Sequence, residues 1–298
     1  MVTLALSPTL ALTAPWADYA LLDSGGGRKL EQFGPYVAIR PEAQCLWRPA
    51  LASETWEAAD AVFKASDEDE AGRWRFARPL PPTWPMAWGE VAFLARPTAF
   101  RHLGVFPEQA ANWAWLDQWL TSRGESYKLL NLFGYTGVSS LVAASRGARV
   151  THVDASKKAI AWGKENADRS SLAQAPIRWI CEDVRKWVER EGRRGARYQG
   201  VILDPPKYGR GPAGEVWRLY DDLAALVAGC VALFEAPASF LRVNAYADRL
   251  SGLALAGLVG EAVAGRGGRI DFGELALMEQ SGARGVGLSS FARWSAEA

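Results

Sequence analysis

An acid, two prolines, a lysine and an aromatic ring follow one another at Asp204-Pro205-Pro206-Lys207-Tyr208, directly after the apolar run Val201-Ile202-Leu203. Proline has no N–H, so each one removes a donor that would compete for nearby carbonyls, and it pushes the preceding residue to extended geometry. The pentad therefore presents Asp204 at a strand tip as an acceptor, with the Pro205 carbonyl beside it and Tyr208 as a stacking surface. That set suits a flat substrate that donates hydrogen bonds; stacking of a base on an aromatic ring contributes roughly 1–3 kcal/mol. Lys207 can meet a phosphate or simply sit in solvent.

Three further tips complete a set. Leu129-Leu130-Asn131-Leu132 runs into the turn Phe133-Gly134-Tyr135-Thr136-Gly137, and two more apolar runs end at Asp154 and Asp183. Asp154, seventeen residues after Gly137, is placed to accept from both hydroxyls of a ribose, each charge-assisted bond contributing roughly 1.5–3 kcal/mol. Asp183 can accept from an adenine amino group. The turn lacks the three-glycine cradle of a pyrophosphate site, which disfavours NAD and suits a nucleoside ligand without phosphates, such as S-adenosylmethionine. Taken singly, the glycines can merely close a tight turn and a strand-end Asp can be a helix N-cap. Four tips in one order are harder to explain that way.

The elements that must hold these tips alternate. Helical spacing runs from Glu108 to Thr121. Strand-like runs at 129–133, Ala148–Val153, Ile177–Cys181 and Gly200–Leu203 are separated by helical stretches at Val138–Ser145, from the cap Ser156 toward Arg169, and at Val184–Arg190. This alternation means a parallel sheet covered on both faces, with ligands beyond the carboxyl ends of its strands. A helix over Trp217–Phe234, a strand at Ser239–Val243 and two last strands at Ile270–Met278 and Leu288–Trp294 follow. Residues 16–105 carry short apolar runs between Gly- and Pro-rich turns, a small β-rich module. The expected division is 1–105 for that module and 106–298 for the α/β domain. The acidic stretch Ser66-Asp67-Glu68-Asp69-Glu70 reads as a solvated hairpin tip.

Composition narrows the function classes. A formal net charge of +1 gives no overall basic field, so any nucleic-acid surface must be local. Arg185 to Arg197 holds six cations against two acids, which reads as a solvated helix face or as local RNA affinity. Three scattered cysteines, Cys45, Cys181 and Cys230, fit a reducing, cytoplasmic setting, and with two distant histidines they form no zinc pattern. No apolar span reaches membrane length. Pro8 and Pro15 interrupt the first apolar stretch and the first cation is Arg28, so no secretory signal is expected. Oligomeric state is not readable.

Asn131-Leu132-Phe133-Gly134-Tyr135-Thr136-Gly137, Val153-Asp154-Ala155-Ser156, Glu182-Asp183-Val184 and Asp204-Pro205-Pro206-Lys207-Tyr208 together resemble the class I S-adenosylmethionine-dependent methyltransferases of the ribosomal RNA large-subunit group. The resemblance covers roughly residues 90 to 298. His102-Leu103-Gly104-Val105-Phe106-Pro107-Glu108-Gln109 is similar to a further family stretch, matching it at Gly104, Phe106 and Gln109. The resemblance implies a Rossmann-like core, a mostly parallel seven-stranded sheet with an antiparallel last strand, preceded by a small β-rich domain. It implies cofactor contacts from Gln109, Phe133, Gly134, Tyr135, Thr136, Gly137, Asp154, Ala155, Ser156, Asp183, Val184 and Asp204, and substrate chemistry at Asp204, Pro205, Pro206, Lys207 and Tyr208. An RNA substrate, ribosomal RNA above all, is the implied partner, although the first ninety residues show no obvious match to the RNA-binding PUA module that relatives can carry at the extreme N-terminus.

The acceptor atom can be narrowed. A pyrimidine C5 is a poor nucleophile and needs a cysteine to add to the ring first. Relatives that methylate C5 carry that cysteine in the strand corresponding to Leu241-Arg242-Val243-Asn244-Ala245-Tyr246, where this chain has none; Cys230 sits in a helical pattern as a core thiol. A base nitrogen is therefore expected as acceptor, with Asp204 and the Pro205 carbonyl accepting from an amine. Glu215 and Trp217 either line a substrate lip or, in the case of Trp217, join the core. Transfer to a small molecule or a protein, and a cofactor- or RNA-binding module without turnover, remain open at this level.

Overall fold

The computed structural model describes residues 2–5, 7–65, 72–123, 126–235, 239–246 and 249–296; the acidic stretch Ser66 to Glu70 lies outside them. The chain forms two compact units, one of residues 1–11, 113–275 and 289–298, the other of residues 12–112 and 276–288. The chain thus passes between the units after residues 11, 112, 275 and 288, rather than once at the boundary expected at residue 105.

The larger unit is built on strands β1 (Lys128–Leu132), β2 (Arg149–Asp154), β3 (Ile177–Cys181), β4 (Gly200–Leu203) and β5 (Phe240–Ala245), with β6 (Arg269–Met278) and β7 (Gly285–Ser295) forming the final hairpin. Their order in the sheet is β3-β2-β1-β4-β5-β7-β6, with the two-residue strand Thr3–Leu4 beyond β6. β1 to β5 pair in parallel, and β7 runs antiparallel to β5. The helices are α1 (Ala110–Thr121), α2 (Val138–Ser145), α3 (Lys157–Arg169), α4 (Val184–Arg193), α5 (Leu219–Ala232) and α6 (Gly252–Ala262). The fold is α/β with a mostly parallel sheet, as the alternation implied, and an antiparallel strand, as the resemblance implied. Strand order reverses between β1 and β4, so the tips at Phe133 and Asp204 flank the crevice where such sheets bind ligands.

The two faces of the sheet differ. On one, Leu130, Leu132, Val201, Leu203, Leu241 and Val243 pack with apolar side chains of α4, α5 and α6 in one buried cluster. On the other, the register sets Trp179, His152, Asn131, Ile202, Arg242 and Arg293 side by side across six strands. His152, Asn131 and Arg242 in that row are almost wholly excluded from solvent. Alternation along a strand sends i and i+2 to one face, so this polar row lies immediately beneath the tips. Among the described residues, no helix is long and apolar enough to cross a membrane, and no group of three His, Cys, Asp or Glu is placed to hold a metal.

The smaller unit contains a five-stranded sheet in sequence order, Tyr19–Gly25, Arg28–Phe33, Tyr36–Pro41, Ala61–Ala65 and Gly72–Phe76, and a hairpin of Trp84–Trp88 with Val91–Ala95. Gly26 and Gly27 both take positive φ (57° and 74°), the tight two-residue loop that a twisted hairpin favours. Its interior is ionic: the Glu31 carboxylate accepts from Tyr19 Oη (2.8 Å) and from Arg40 Nε and Nη2 (2.7 and 2.6 Å). Burial alone would raise the Glu31 pKa, but the charges of Arg40 and Lys29 outweigh it and bring it down to about 2.

Candidate functional site

The turn after β1 is strained where a ligand would meet it. Phe133 and Tyr135 take left-handed φ (56° and 50°), and Gly137 follows at 84° as the N-cap of α2. Non-glycine residues in that region cost of order 1–3 kcal/mol each and cluster at ligand clamps. The turn closes through Gly137 N–H to the Gly134 carbonyl (3.0 Å) and is anchored by Gly134 N–H to Val153 O (3.1 Å) and Asn166 Nδ2 to Thr136 O (2.9 Å).

The two glycines have packing reasons as well. A Cβ on Gly134 would lie 2.4 Å from His152 Cε1, and one on Gly137 would lie 2.9 Å from the Trp179 ring. Beneath the turn runs a buried chain, Asn131 Nδ2 donating to Ser140 Oγ (2.9 Å) and Ser140 Oγ facing His152 Nδ1 (3.0 Å), with the imidazole against Trp179 (4.6 Å between centroids). Burial lowers the His152 pKa to about 3, so the ring is neutral. Sequence reading missed this support. A lone histidine announces nothing, and the one trace was Gly163 inside α3, where a Cβ would meet Trp179 at 2.5 Å.

At the tip of β2, Asp154 accepts from Tyr135 N–H through Oδ2 and from Ser156 N–H through Oδ1, both at 2.8 Å. Burial raises its pKa and these two bonds lower it, with burial dominant. Each carboxylate oxygen keeps acceptor capacity, the acceptor set that ribose hydroxyls require as donors. Ser156 caps α3 through Ala159 N–H (3.2 Å), and the Ala155 carbonyl accepts from Cys181 Sγ at 3.5 Å.

Asp183 is deeply committed elsewhere. It caps α4 by accepting from Arg185 and Lys186 N–H (3.0 and 3.2 Å) and pairs with Arg185 Nη2 at 3.0 Å. Val184 behind it is core. The cap reading thus accounts for the Asp183 side chain, and α4 loses about 0.5–2 kcal/mol without it. Gln109 belongs to the other unit, where it ends the one-turn helix Pro107–Gln109 and its Oε1 accepts from Asn112 Nδ2 at 2.8 Å.

The acceptor motif opens a small hairpin. Asp204 leaves β4, and Tyr208–Arg210 pairs antiparallel with Val216–Arg218. Trp217 points inward, 3% exposed; its Nε1 donates to the Pro206 carbonyl at 2.7 Å and its ring lies 4.8 Å from Phe133. That settles Trp217 as core rather than substrate lip: one indole clamps the acceptor loop and touches the turn after β1. Leu219 N–H to the Lys207 carbonyl (3.1 Å) closes the base of the hairpin. Tyr208 is 52% exposed and Lys207 is exposed. Glu215 is not a free lip residue either, since Lys186 and Ala213 N–H hold its carboxylate and bring its pKa to about 2.

Arg242, one step below the tips on β5, shares its face with Asp204; burial lowers its pKa to about 10 against the opposing field of Asp204. The six cations from Arg185 to Arg197 are partly spent: Arg185 pairs with Asp183 and Asp222, Arg190 with Glu182 and Arg194 with Glu191.

Residues 111–240 match a family model described as conserved hypothetical protein 95. A solved S-adenosylmethionine-dependent methyltransferase from Agrobacterium tumefaciens is 46% identical, with a TM-score of 0.95 over 99% of this chain and 95% of that one. The structure of SMU.776 complexed with SAH shares the fold at 16% identity, with a TM-score of 0.72 over 93% of this chain and 75% of that one. Among curated proteins, ribosomal RNA large subunit methyltransferase K/L of Pseudoalteromonas translucida is 35% identical over 92 residues, 30% of this chain and 13% of that protein. Ribosomal RNA large subunit methyltransferase I of Aeromonas salmonicida is 32% identical over 87 residues, 29% of this chain and 22% of that protein. The match thus spans less than a quarter of either curated relative's length.

Proposed function

The chain belongs to the S-adenosylmethionine-dependent methyltransferases, and we propose that its acceptor is a base nitrogen of RNA, specifically of ribosomal RNA. The cofactor supplies, when bound, a methyl group carried on a positively charged sulfur. Asp154 and the strained turn 133–137 are the residues that would hold it, and the acceptor set fits: carboxylate oxygens with remaining lone pairs for hydroxyls, and no glycine cradle for phosphate. Asp183-Val184 can contribute backbone groups there, the Asp183 side chain being occupied by its cap.

The acceptor side follows from Asp204. Its carboxylate accepts an N–H of the incoming amine, which orients the nitrogen lone pair away from the acid and toward the donor side of the crevice. As nitrogen forms its bond to carbon it becomes acidic, and Asp204 is placed to hold the proton it loses. The Trp217–Pro206 bond fixes the loop, and Tyr208 covers the base plane. Positioning of this kind supplies much of the rate in an in-line displacement.

The observation that carries the nitrogen assignment is the tip of β5. Leu241 to Ala245 are buried, Tyr246 follows, and no thiol stands there to attack a pyrimidine ring. Cys230 is enclosed in α5 with its thiol pKa pushed well up by burial, and burial also raises Cys181, which faces the Ala155 carbonyl. The RNA assignment is supported by the Asp-Pro-Pro-Lys-Tyr motif and by the ribosomal RNA methyltransferases among the relatives. The test is labelled-methyl transfer to RNA purified from a strain lacking the protein, followed by nucleoside analysis. An N-methylated nucleoside is expected. Label as 5-methylcytosine would overturn the nitrogen assignment, and label only in protein or small molecules would overturn RNA.

A further inference from the structure

The hairpin that follows Asp204 has two unlike sides. Cross-strand pairs are Tyr208 with Arg218 and Arg210 with Val216, and Trp217 faces Gly209. With a period of two, Tyr208, Arg210, Val216 and Arg218 share one face and Trp217 the other. Exposure follows that division: Trp217 is buried, while all four residues of the opposite face are exposed, Tyr208 at 52% and Val216 at 37%. Lys207 is exposed just before the hairpin, and Tyr220, 59% exposed, begins α5 just after it.

A short two-stranded ribbon normally hides apolar side chains, yet this one holds a tyrosine and a valine outward between two arginines. The nearby acids are largely engaged: Glu215 with Lys186, and Asp222 with Arg185 and the Arg218 N–H. Asp221 approaches Arg218 only to 4.0 Å, and both side chains are two-thirds exposed, a pairing of little strength. The outward face is therefore cationic and aromatic, in a chain whose net charge is only +1.

We propose that this face is a docking platform for single-stranded RNA, holding the nucleotides that flank the target base. Arg210 and Arg218 meet backbone phosphates, and Val216 offers apolar surface to a flanking base, beside the Tyr208 ring that covers the target base. Alternating cations and rings on an open strand surface is the chemistry that tracks a single strand without reading its sequence. The proposal rests on the RNA reading above and adds to it residues that no motif marks. It also gives the extra hairpin a purpose: the strand tip and the platform are one continuous piece of chain, so a nucleotide held at Arg218 fixes where its neighbour meets Asp204.

The test compares wild type, Arg210→Ala/Arg218→Ala, Arg210→Lys/Arg218→Lys and, as a pair of exposed cations outside the hairpin, Arg193→Ala/Arg197→Ala. S-adenosylhomocysteine affinity by calorimetry reports an intact cofactor side and should be equal in all four. RNA binding is measured against salt. Each phosphate contact to a single strand contributes about 0.7 to the slope of log K against log salt, so losing two arginines should make the slope shallower by about 1.4. KM for RNA should rise in that variant, with kcat at saturating RNA retained. The lysine pair should keep the wild-type slope, and so should the Arg193/Arg197 pair. A wild-type slope in Arg210→Ala/Arg218→Ala, with RNA still methylated, overturns the platform and leaves the RNA reading standing. An equal loss of slope in the Arg193/Arg197 pair also overturns it, because the effect is then not particular to the hairpin. Wild type that labels no RNA overturns both.

Discussion

Replacing Gly134 by alanine would set a methyl group 2.4 Å from Cε1 and 2.5 Å from Nδ1 of His152, whereas carbon atoms in contact sit about 3.5–4.0 Å apart. Gly134 does not take a left-handed φ, so the cost is steric rather than conformational. The imidazole has little room to yield, being fully buried, bonded to Ser140 at 3.0 Å and packed on Trp179. Either the ring breaks the Ser140 bond or the turn lifts by roughly an ångström, and overpacking of this kind costs about 1–3 kcal/mol. If the turn lifts, the strain appears in cofactor binding as a loss of about fivefold to a hundredfold in S-adenosylhomocysteine affinity, since 1.4 kcal/mol is tenfold. Calorimetry with a parallel urea melt separates the two responses. The decisive variant is Gly134→Ala/His152→Ala. Removing the ring makes room for the methyl group, so the double variant should bind better than Gly134→Ala alone, a favourable coupling in the double-mutant cycle. Simple additivity of the two single losses would refute the argument that His152 sets the height of the turn.

Asp154→Ala should weaken S-adenosylhomocysteine by at least tenfold, from the loss of charge-assisted bonds contributing roughly 1.5–3 kcal/mol each. Because burial raises the Asp154 pKa, its ionised form should be lost on acidification at a pH above the ordinary 3.8, and affinity should fall through that point in wild type but not in Asp154→Asn. Trp217→Phe keeps an aromatic ring at the position facing Phe133 and removes the donor to Pro206 together with part of the buried indole, so kcat/KM should drop; unchanged turnover would show that the clamp is idle. In the smaller unit, Arg40→Ala strands the Glu31 charge and should destabilise by about 3–5 kcal/mol in a denaturant melt. Glu31 has a folded pKa of about 2 against an ordinary 4.5. Its stabilising contribution is thus complete above the ordinary value and lost as pH falls toward 2, a loss absent in Glu31→Gln.

What could be read in advance followed the strand tips. Asp154, Asp204 and the 133–137 turn sit at carboxyl ends because apolar runs of four to six residues stop there, and that signal is local. Ser156 and Asp183 were equally visible, but residue type alone could not separate a cap from a ligand contact; only the bonds to the α3 and α4 N–H groups decide it. Helix α6 was missed because Gly252, Gly257 and Gly260 weaken its pattern. The Tyr208–Arg218 hairpin was missed because three-residue strands carry no period. His152, Trp179 and Arg242 were invisible for another reason: they face the site's underside through register across neighbouring strands, and register is a property of the assembled sheet.

The position of β7 sets an order of events during synthesis. It lies between β5 and β6, yet it is made after both, and residues 276–288 of the same hairpin belong to the smaller unit. While the chain emerges, β5 and β6 cannot yet be bridged, and the smaller unit lacks its final segment. Neither unit therefore has its full set of segments until residues 276–295 have been made. A ribosome stalled before residue 285 would hold two unfinished units rather than one finished domain.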